Sequence, residues 1–259
     1  MKTKPNNDDE LKLSIRQNAL DSFEHALHHY NGESVSDFKY VVLHFSHAIE
    51  LFLKARLERE HYSLIYVKPE DAKKKDGHTI NLGTAIARLR VNNVRMSEQE
   101  IKDLHFIKNV RNSIEHHIVE LKKSEVQVYV GRAFRFLHQF LEEELKINLL
   151  DEFPKELFKD ALESLISYEE RVAVAKREMD SCRSDPRDGN EQDVKFCDDC
   201  GEETILFPDP TTKDNSIHCF NCEKKFQMER CARCGLSFVV QSKDEALCAG
   251  CFLDLIEEE

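Results

Sequence analysis

Two sets of residues in this 259-residue chain have the types and spacing to do chemistry. The first is a run of cysteines near the C-terminus, paired as Cys197/Cys200, Cys219/Cys222, Cys231/Cys234 and Cys248/Cys251, with gaps of 18, 8 and 13 residues between pairs. A Cys-x-x-Cys turn lets two thiolates reach one ion at about 2.3 Å while backbone amides point at the sulfurs. Four such pairs make two structural zinc sites. All ligands are then protein thiolates, so no position is open for water and catalytic zinc is not expected. Tandem pairing, first pair with second and third with fourth, is preferred; interleaving is the alternative. A glycine after the second cysteine, Gly201 and again Gly235, supplies the positive φ such a turn favours. His218, beside Cys219, is read as a bystander, and Cys182 has no assigned role.

The second set is Arg111, Asn112 and His116, within a segment of helical periodicity. Imidazole moves protons near neutral pH, and guanidinium offers a bidentate fork to phosphate and steadies developing charge. An amide such as that of Asn112 holds either in place. This suits phosphodiester chemistry. At 100° per residue Leu104, Ile107, Ile114, Ile118 and Leu121 form one apolar stripe with Arg111 at its edge, while Asn112, His116 and His105 share another, polar face. The plainer reading is that Arg111 pairs with Glu115 or Glu50 and His116 is a surface histidine. His44 and His47 are read as solvated or core-edge histidines.

These residues need elements to carry them. Leu, Glu, Lys and Ala are abundant, with only 8 Gly and 6 Pro, which points to a mainly α protein. Apolar periodicity predicts helices over Leu11–Tyr30, Phe38–Leu57, Asn81–Leu89, Ser97–Leu121 (with Ser97 and Glu100 as a capping box) and Glu125–Leu149. Pro154 opens a further charged segment to about Met179. An α-helical bundle of four or five members is the natural packing. The expected division is a bundle over 1–150, a charged connector or extra helix over 151–180, a linker over 181–194 and tandem zinc ribbons over 195–259. The β-like stretches Thr204–Phe207 and Leu236–Val240 are placed to form hairpins in the ribbons.

The formal charge is −12, of which −9 falls on residues 190–259. Such an acidic tail is a poor phosphate binder and tilts the ribbons toward a protein partner. The Lys73–Lys75 run reads as a solvated loop. No apolar run approaches the roughly 18 residues of a membrane span, and the polar first ten residues carry no signal core. A cytoplasmic protein with no membrane partner is expected, and reduced thiols there favour metal ligation over disulfides. Glycine-rich phosphate loops, Gly-x-Ser-x-Gly and His-Glu-x-x-His are absent from the sequence.

The stretch Lys108-Asn-Val-Arg-Asn-Ser-Ile-Glu-His-His117 resembles the signature of the HEPN superfamily: an Arg, four to six residues, then a His, often with Asn after the Arg. Ala48-Ile-Glu-Leu-Phe-Leu-Lys-Ala55, with polar Glu50 amid apolar residues, resembles that family's second helix. The resemblance covers roughly residues 11–150. It implies a HEPN-like α-helical bundle that acts as a homodimer, with the two motifs facing across a cleft. Many such proteins are metal-independent endoribonucleases of toxin–antitoxin and antiviral systems. On that basis Arg111 would bind the scissile phosphate of RNA and Asn112 would position groups. His116, with His117 in reserve, would assist attack of the 2′-hydroxyl. Other members are non-catalytic binding or dimerisation modules, and the zinc ribbons are not part of the signature.

Overall fold

A computed structural model describes residues 13–32, 34–74, 77–117, 120–183, 194–197, 200–207, 216–235, 237–240, 247–248 and 251. Leu11, Lys75, Ile118 and Leu236, and residues 184–193 of the expected linker, lie outside them. The chain divides into two compact units, Met1–Tyr168 and Glu169–Glu259. The first is all helical and the second carries the strands, so the protein is mainly α with a small cysteine-rich strand region.

In the first unit, α1 (Ile15–Tyr30) begins at a capping box in which Ser14 and Gln17 satisfy each other's backbone amides. The longest helix of this unit, α2 (Asp37–Glu60), is sheathed by α1, α3 (Leu82–Val91), α4 (Glu98–His116) and α5 (Lys123–Phe140). Its Phe45, Ile49, Phe52, Leu53 and Leu57 are fully buried, and each such side chain stabilises the fold by roughly 1.5–3 kcal/mol. Phe23 of α1 meets Phe45 edge-on at 5.6 Å and stacks near Phe134 of α5 at 6.2 Å, which joins three helices at one point. A π-turn, Leu141–Leu145, extends α5, and a short α6 (Leu149–Glu152) precedes α7 (Lys155–Cys182). Phe158 and Ala161, in the first half of α7, complete this core.

Two departures from sequence periodicity bear on the site. The expected helix Glu125–Leu149 breaks at Lys146, whose left-handed φ of 53° ends the π-turn. The expected helix to Leu121 stops at His116. His117 caps it in extended conformation while its amide still donates to Ser113. Leu121 therefore does not continue the stripe on α4, although it packs against the core from the following segment. The Ser97–Glu100 capping box forms as the sequence predicts, with Ser97 N donating to Glu100 Oε2 at 2.7 Å.

α4 is fixed to α5 by a buried ionic cluster. Asp103 accepts Nε of Arg132 at 2.7 Å and two nitrogens of Arg135 at 2.8–3.0 Å. The Arg132 guanidinium lies 3.9 Å from the centre of the Phe106 ring. This clamp sits two helical turns before Arg111.

In the second unit β1 (Val194–Phe196) pairs antiparallel with β2 (Glu203–Leu206). β3 (Ser216–His218), β4 (Lys225–Arg230) and β5 (Ser237–Val240) form an antiparallel sheet in the order β3-β4-β5. The two cysteine modules thus share a sheet: β4 runs from Cys222 toward Cys231, and the strand of the second module adds to its edge. Residues of α7 belonging to this unit bury Val172, Ala175 and Met179 at helical spacing. Arg171 Nε donates to Asn221 Oδ1 at 3.2 Å, so the helix is tied to the first cysteine loop.

Candidate functional site

The eight cysteines fall into two groups of four, Cys197, Cys200, Cys219 and Cys222, and Cys231, Cys234, Cys248 and Cys251. The pairing is tandem, not interleaved. Within a group every sulfur lies within 4.8 Å of the others. Cys197 and Cys222 sulfurs are 3.6 Å apart, Cys200 and Cys219 3.5 Å, Cys234 and Cys248 3.7 Å. A tetrahedron with metal–sulfur bonds of about 2.3 Å has edges of about 3.8 Å, whereas a disulfide brings sulfurs to about 2.05 Å. The donor set and spacing fit a four-coordinate metal ion, and each group can hold one.

The turns are built for this. Gly201 (φ 71°) and Gly235 (φ 73°) take the left-handed conformation, their amides donating to the first cysteine of each pair at 2.7 and 2.9 Å. Glu223 does the same after Cys222, with φ 61° and a 2.8 Å bond to Cys219 O, at the cost of a conformation that disfavours a Cβ. The Cys222 amide points at Cys219 Sγ (3.4 Å), and the Thr204 hydroxyl approaches it at 3.0 Å. The surrounding thiols, Cys197 first, together with that hydroxyl hold the Cys219 thiol far below its ordinary range. Backbone amides, that of Cys234 first, lower Cys231 to about 6. Neighbouring thiols push Cys197, Cys222 and Cys251 up, so without a cation to share, the sulfurs of each group cannot all be thiolates at once. His218 stacks on Phe220 and is not in either group. Cys182 is exposed at the end of α7.

In the helical unit, α4 carries Arg111, Asn112 and His116 on its last two turns. Arg111 is 41% exposed and its Nε meets Glu115 Oε2 at 3.0 Å, the i,i+4 pairing. Glu50 is not its partner. Glu50 instead accepts Lys54 Nζ at 2.7 Å, and the buried Lys54 also reaches Thr79 Oγ1 at 3.1 Å. This corrects the alternative pairing of Arg111 with Glu50: the same-helix lysine four residues on is nearer and must find an anion to be buried.

His116 is exposed at the last helical residue, and Asn112 is half-buried. Five residues along a helix turn a side chain by about 140°, so Arg111 and His116 of one chain point apart, and among the described residues no hydrogen bond joins them. His47 of α2 is solvent-reachable, its Nδ1 3.0 Å from Ser22 Oγ. Partial desolvation lowers the pKa of His47, Glu50 opposes this, and Lys54 and Arg111 lower it further. The guanidinium of Arg111 also acts on the buried Tyr129 hydroxyl, which donates to Val42 O at 3.0 Å. Arg111 is thus within electrostatic reach of His47 of α2 and Tyr129 of α5. The sequence reading of His47 as a solvated or core-edge histidine misses its electrostatic link to Arg111, because nothing in local spacing links position 47 to position 111.

Residues 14–162 match a protein family described as "Domain of unknown function (DUF3644)". The chain belongs to this family. The DUF3644 region spans the whole of α1 to α6 and the start of α7, so it contains Arg111, Asn112, His116 and His47 and excludes all eight clustered cysteines. No curated protein and no solved structure matches the chain. No helix among the described residues is long and apolar enough to cross a membrane.

Proposed function

We propose that the DUF3644 unit is a metal-independent endoribonuclease of HEPN type that works as a homodimer in a reducing cytoplasm, as toxin and antiviral nucleases do. Its cysteine modules are a zinc-bound tail for recognising a protein or nucleic-acid partner. The observation that supports this best is the state of Arg111. Among the described residues its one carboxylate partner is Glu115, on its own helix and at the surface, an interaction worth only about 0.3–0.5 kcal/mol. A phosphodiester offers a bidentate, doubly hydrogen-bonded alternative and displaces Glu115 readily.

The chemistry needs a base for the 2′-hydroxyl, a cation for the phosphate and an acid for the leaving oxygen. Arg111 holds the phosphate. A neutral imidazole takes the 2′ proton, O2′ attacks phosphorus, and the P–O5′ bond breaks as O5′ receives a proton. The products are a 2′,3′-cyclic phosphate and a 5′-hydroxyl. His47, kept neutral beside Arg111, has the charge state required of the base. His116 supplies the second imidazole. Because it diverges from Arg111 on its own helix, the reading requires the partner subunit's copy of this helix to bring its motif across. Asn112, half-buried on that polar face, orients the phosphate or the imidazole.

The test is incubation of the full chain with mixed RNA during a brief exposure to EDTA, with end-group analysis of the fragments. Cleavage that survives chelation, leaves cyclic phosphate ends, and falls by about 10²–10⁴ in His116→Ala or His47→Gln supports the reading. Intact RNA with the wild-type chain overturns it and leaves a non-catalytic dimeric adaptor as the better account.

A further inference from the structure

The turn between α3 and α4 lines an open cleft of about 650 Å³ formed by Arg90, Asn93, Val94, Arg95 and Met96. From the geometry and charge of this cleft we infer that it is a second RNA-backbone site, one that grips phosphates of a single strand well away from Arg111. The inference rests on the ribonuclease reading for its choice of ligand.

Charge is the first reason. Residues 77–97 contain three arginines and no Asp or Glu, in a chain with 49 acidic side chains and a net charge of −12. The nearest carboxylates that follow in sequence are engaged. Glu98 faces Lys102 at 3.3 Å, and Glu100 closes the Ser97 cap at 2.7 Å. Among the described residues neither the Arg90 nor the Arg95 side chain has a hydrogen bond or an ion pair, and both residues are exposed. Arg88, on the same turn, shows what a structural arginine looks like here: its Nη1 donates to the carbonyls of Leu64 and Tyr66 at 2.6 and 2.7 Å. Two guanidiniums left unpaired on an acidic protein raise the local potential where an anion is most easily held.

Rigidity is the second. Asn92 seals the end of α3, with Nδ2 donating to Arg88 O at 2.8 Å. Asn93 takes a left-handed φ of 62°, and its amide donates to Arg90 O at 3.2 Å. The Val94 amide donates to Leu89 O at 3.0 Å, its side chain is buried, and Met96 packs on the core. The two arginines are therefore presented from a fixed turn, with the Asn93 side-chain carboxamide in the same lining as a further polar group. Phosphate recognition gains from such preorganised forks. From Ser97 to Arg111 is about 21 Å along α4, so a strand of several nucleotides reaches both sites at once. Two anchor points on one strand give the register that a single phosphate contact cannot.

The experiment uses the full chain and a fluorescein-labelled 2′-O-methyl uridine 12-mer, which lacks the nucleophile and survives intact. Affinity is read by anisotropy from 50 to 200 mM salt, with cleavage of the unmodified 12-mer followed in parallel. Each phosphate contact adds roughly 0.7 to the slope of log affinity against log salt for a single strand, so Arg90→Gln/Arg95→Gln should flatten it by about 1.4, and the loss of affinity across that salt range should shrink about sevenfold. A Lys155→Gln/Lys159→Gln variant removes the same charge from exposed positions on α7 and should keep the wild-type slope. Equal slopes in the wild-type chain and the arginine variant, with the unmodified 12-mer still cleaved, overturn the cleft and leave the nuclease reading standing. Binding through the arginines without cleavage keeps the cleft and overturns the nuclease. If the wild-type chain neither binds nor cleaves, both fall.

Discussion

The Asp103 clamp sets the position of α4, and cutting it is the sharpest test of how the candidate site is held. Arg132 is fully buried and Asp103 is 1% exposed, so their 2.7 Å contact is screened by neither water nor salt. Asp103→Asn keeps the volume and one acceptor oxygen but removes the charge. It takes from the buried Arg132 cation the carboxylate that it meets at 2.7 Å, and breaking a buried pair in this way costs about 3–5 kcal/mol. Arg135 suffers less, since its side chain is 20% exposed and can turn to solvent. At about 2–4 °C of midpoint per kcal/mol for a unit of this size, the thermal midpoint should fall by about 6–20 °C. Far-UV circular dichroism suits the measurement, because most of the helix lies in the first unit. The double variant Asp103→Leu/Arg132→Met replaces charge with packing and should recover at least half of the loss, as buried pairs exchanged for hydrophobic residues often do. A single-variant cost below about 1 kcal/mol, the value of an ordinary surface pair, would refute the claim that this cluster anchors α4.

Three further outcomes are expected. Metal analysis of the full chain should find two zinc ions, and Cys219→Ser should bind about one while the helical signal stays intact. The His44 and His47 imidazoles are both held below their ordinary pKa, chiefly by partial desolvation. The unfolded chain therefore takes up protons first as pH drops. Their contribution is complete above the unfolded value of about 6.5 and is lost as pH falls below it. Urea midpoints should decline from pH 7.5 to 5.5, less steeply in His44→Gln/His47→Gln, and a parallel decline in both proteins would count against the assignment. Finally, Glu115→Gln frees Arg111 of a pair worth about 0.3–0.5 kcal/mol, so RNA affinity should rise about twofold. A loss of affinity in the anisotropy assay would mean Glu115 positions Arg111 instead of competing for it.

The cysteine modules were largely legible from sequence because their chemistry is local. Two residues separate the partners in each turn, and the Gly201 and Gly235 conformations follow from that turn. The exception is the sheet: nothing in the spacing said that β5 would pair with β4 and merge the modules, since strand pairing is a long-range choice. Helices were legible where periodicity and side-chain caps agree, as at Asn81 and Ser97, but the short α6 was missed although Asn148 caps it. They misled where periodicity outran the helix. Leu121 keeps the rhythm of α4 after the backbone has left it, because a residue after a helix can still drop onto the same core.

The motif residues show a different boundary. Arg111 and His116 are neighbours in sequence and diverge in space, while His47 is remote in sequence and within electrostatic reach of Arg111. A short motif records which helix carries a site, but helical rotation decides which of its side chains can work together in one subunit. For a chemistry that needs a cation and imidazoles around one phosphate, the α2–α4 seam supplies Arg111 with His47, and His116 is left facing outward with Asn112. An outward histidine that serves catalysis must meet its phosphate on another copy of the chain. If the chain cleaves RNA through His116, a mixture of Arg111→Ala and His116→Ala subunits should therefore regain part of the wild-type rate, because the mixed dimer retains one cleft with both groups intact. Activity in the mixture no greater than in either variant alone would place both groups in a single subunit, against the direction in which α4 points them.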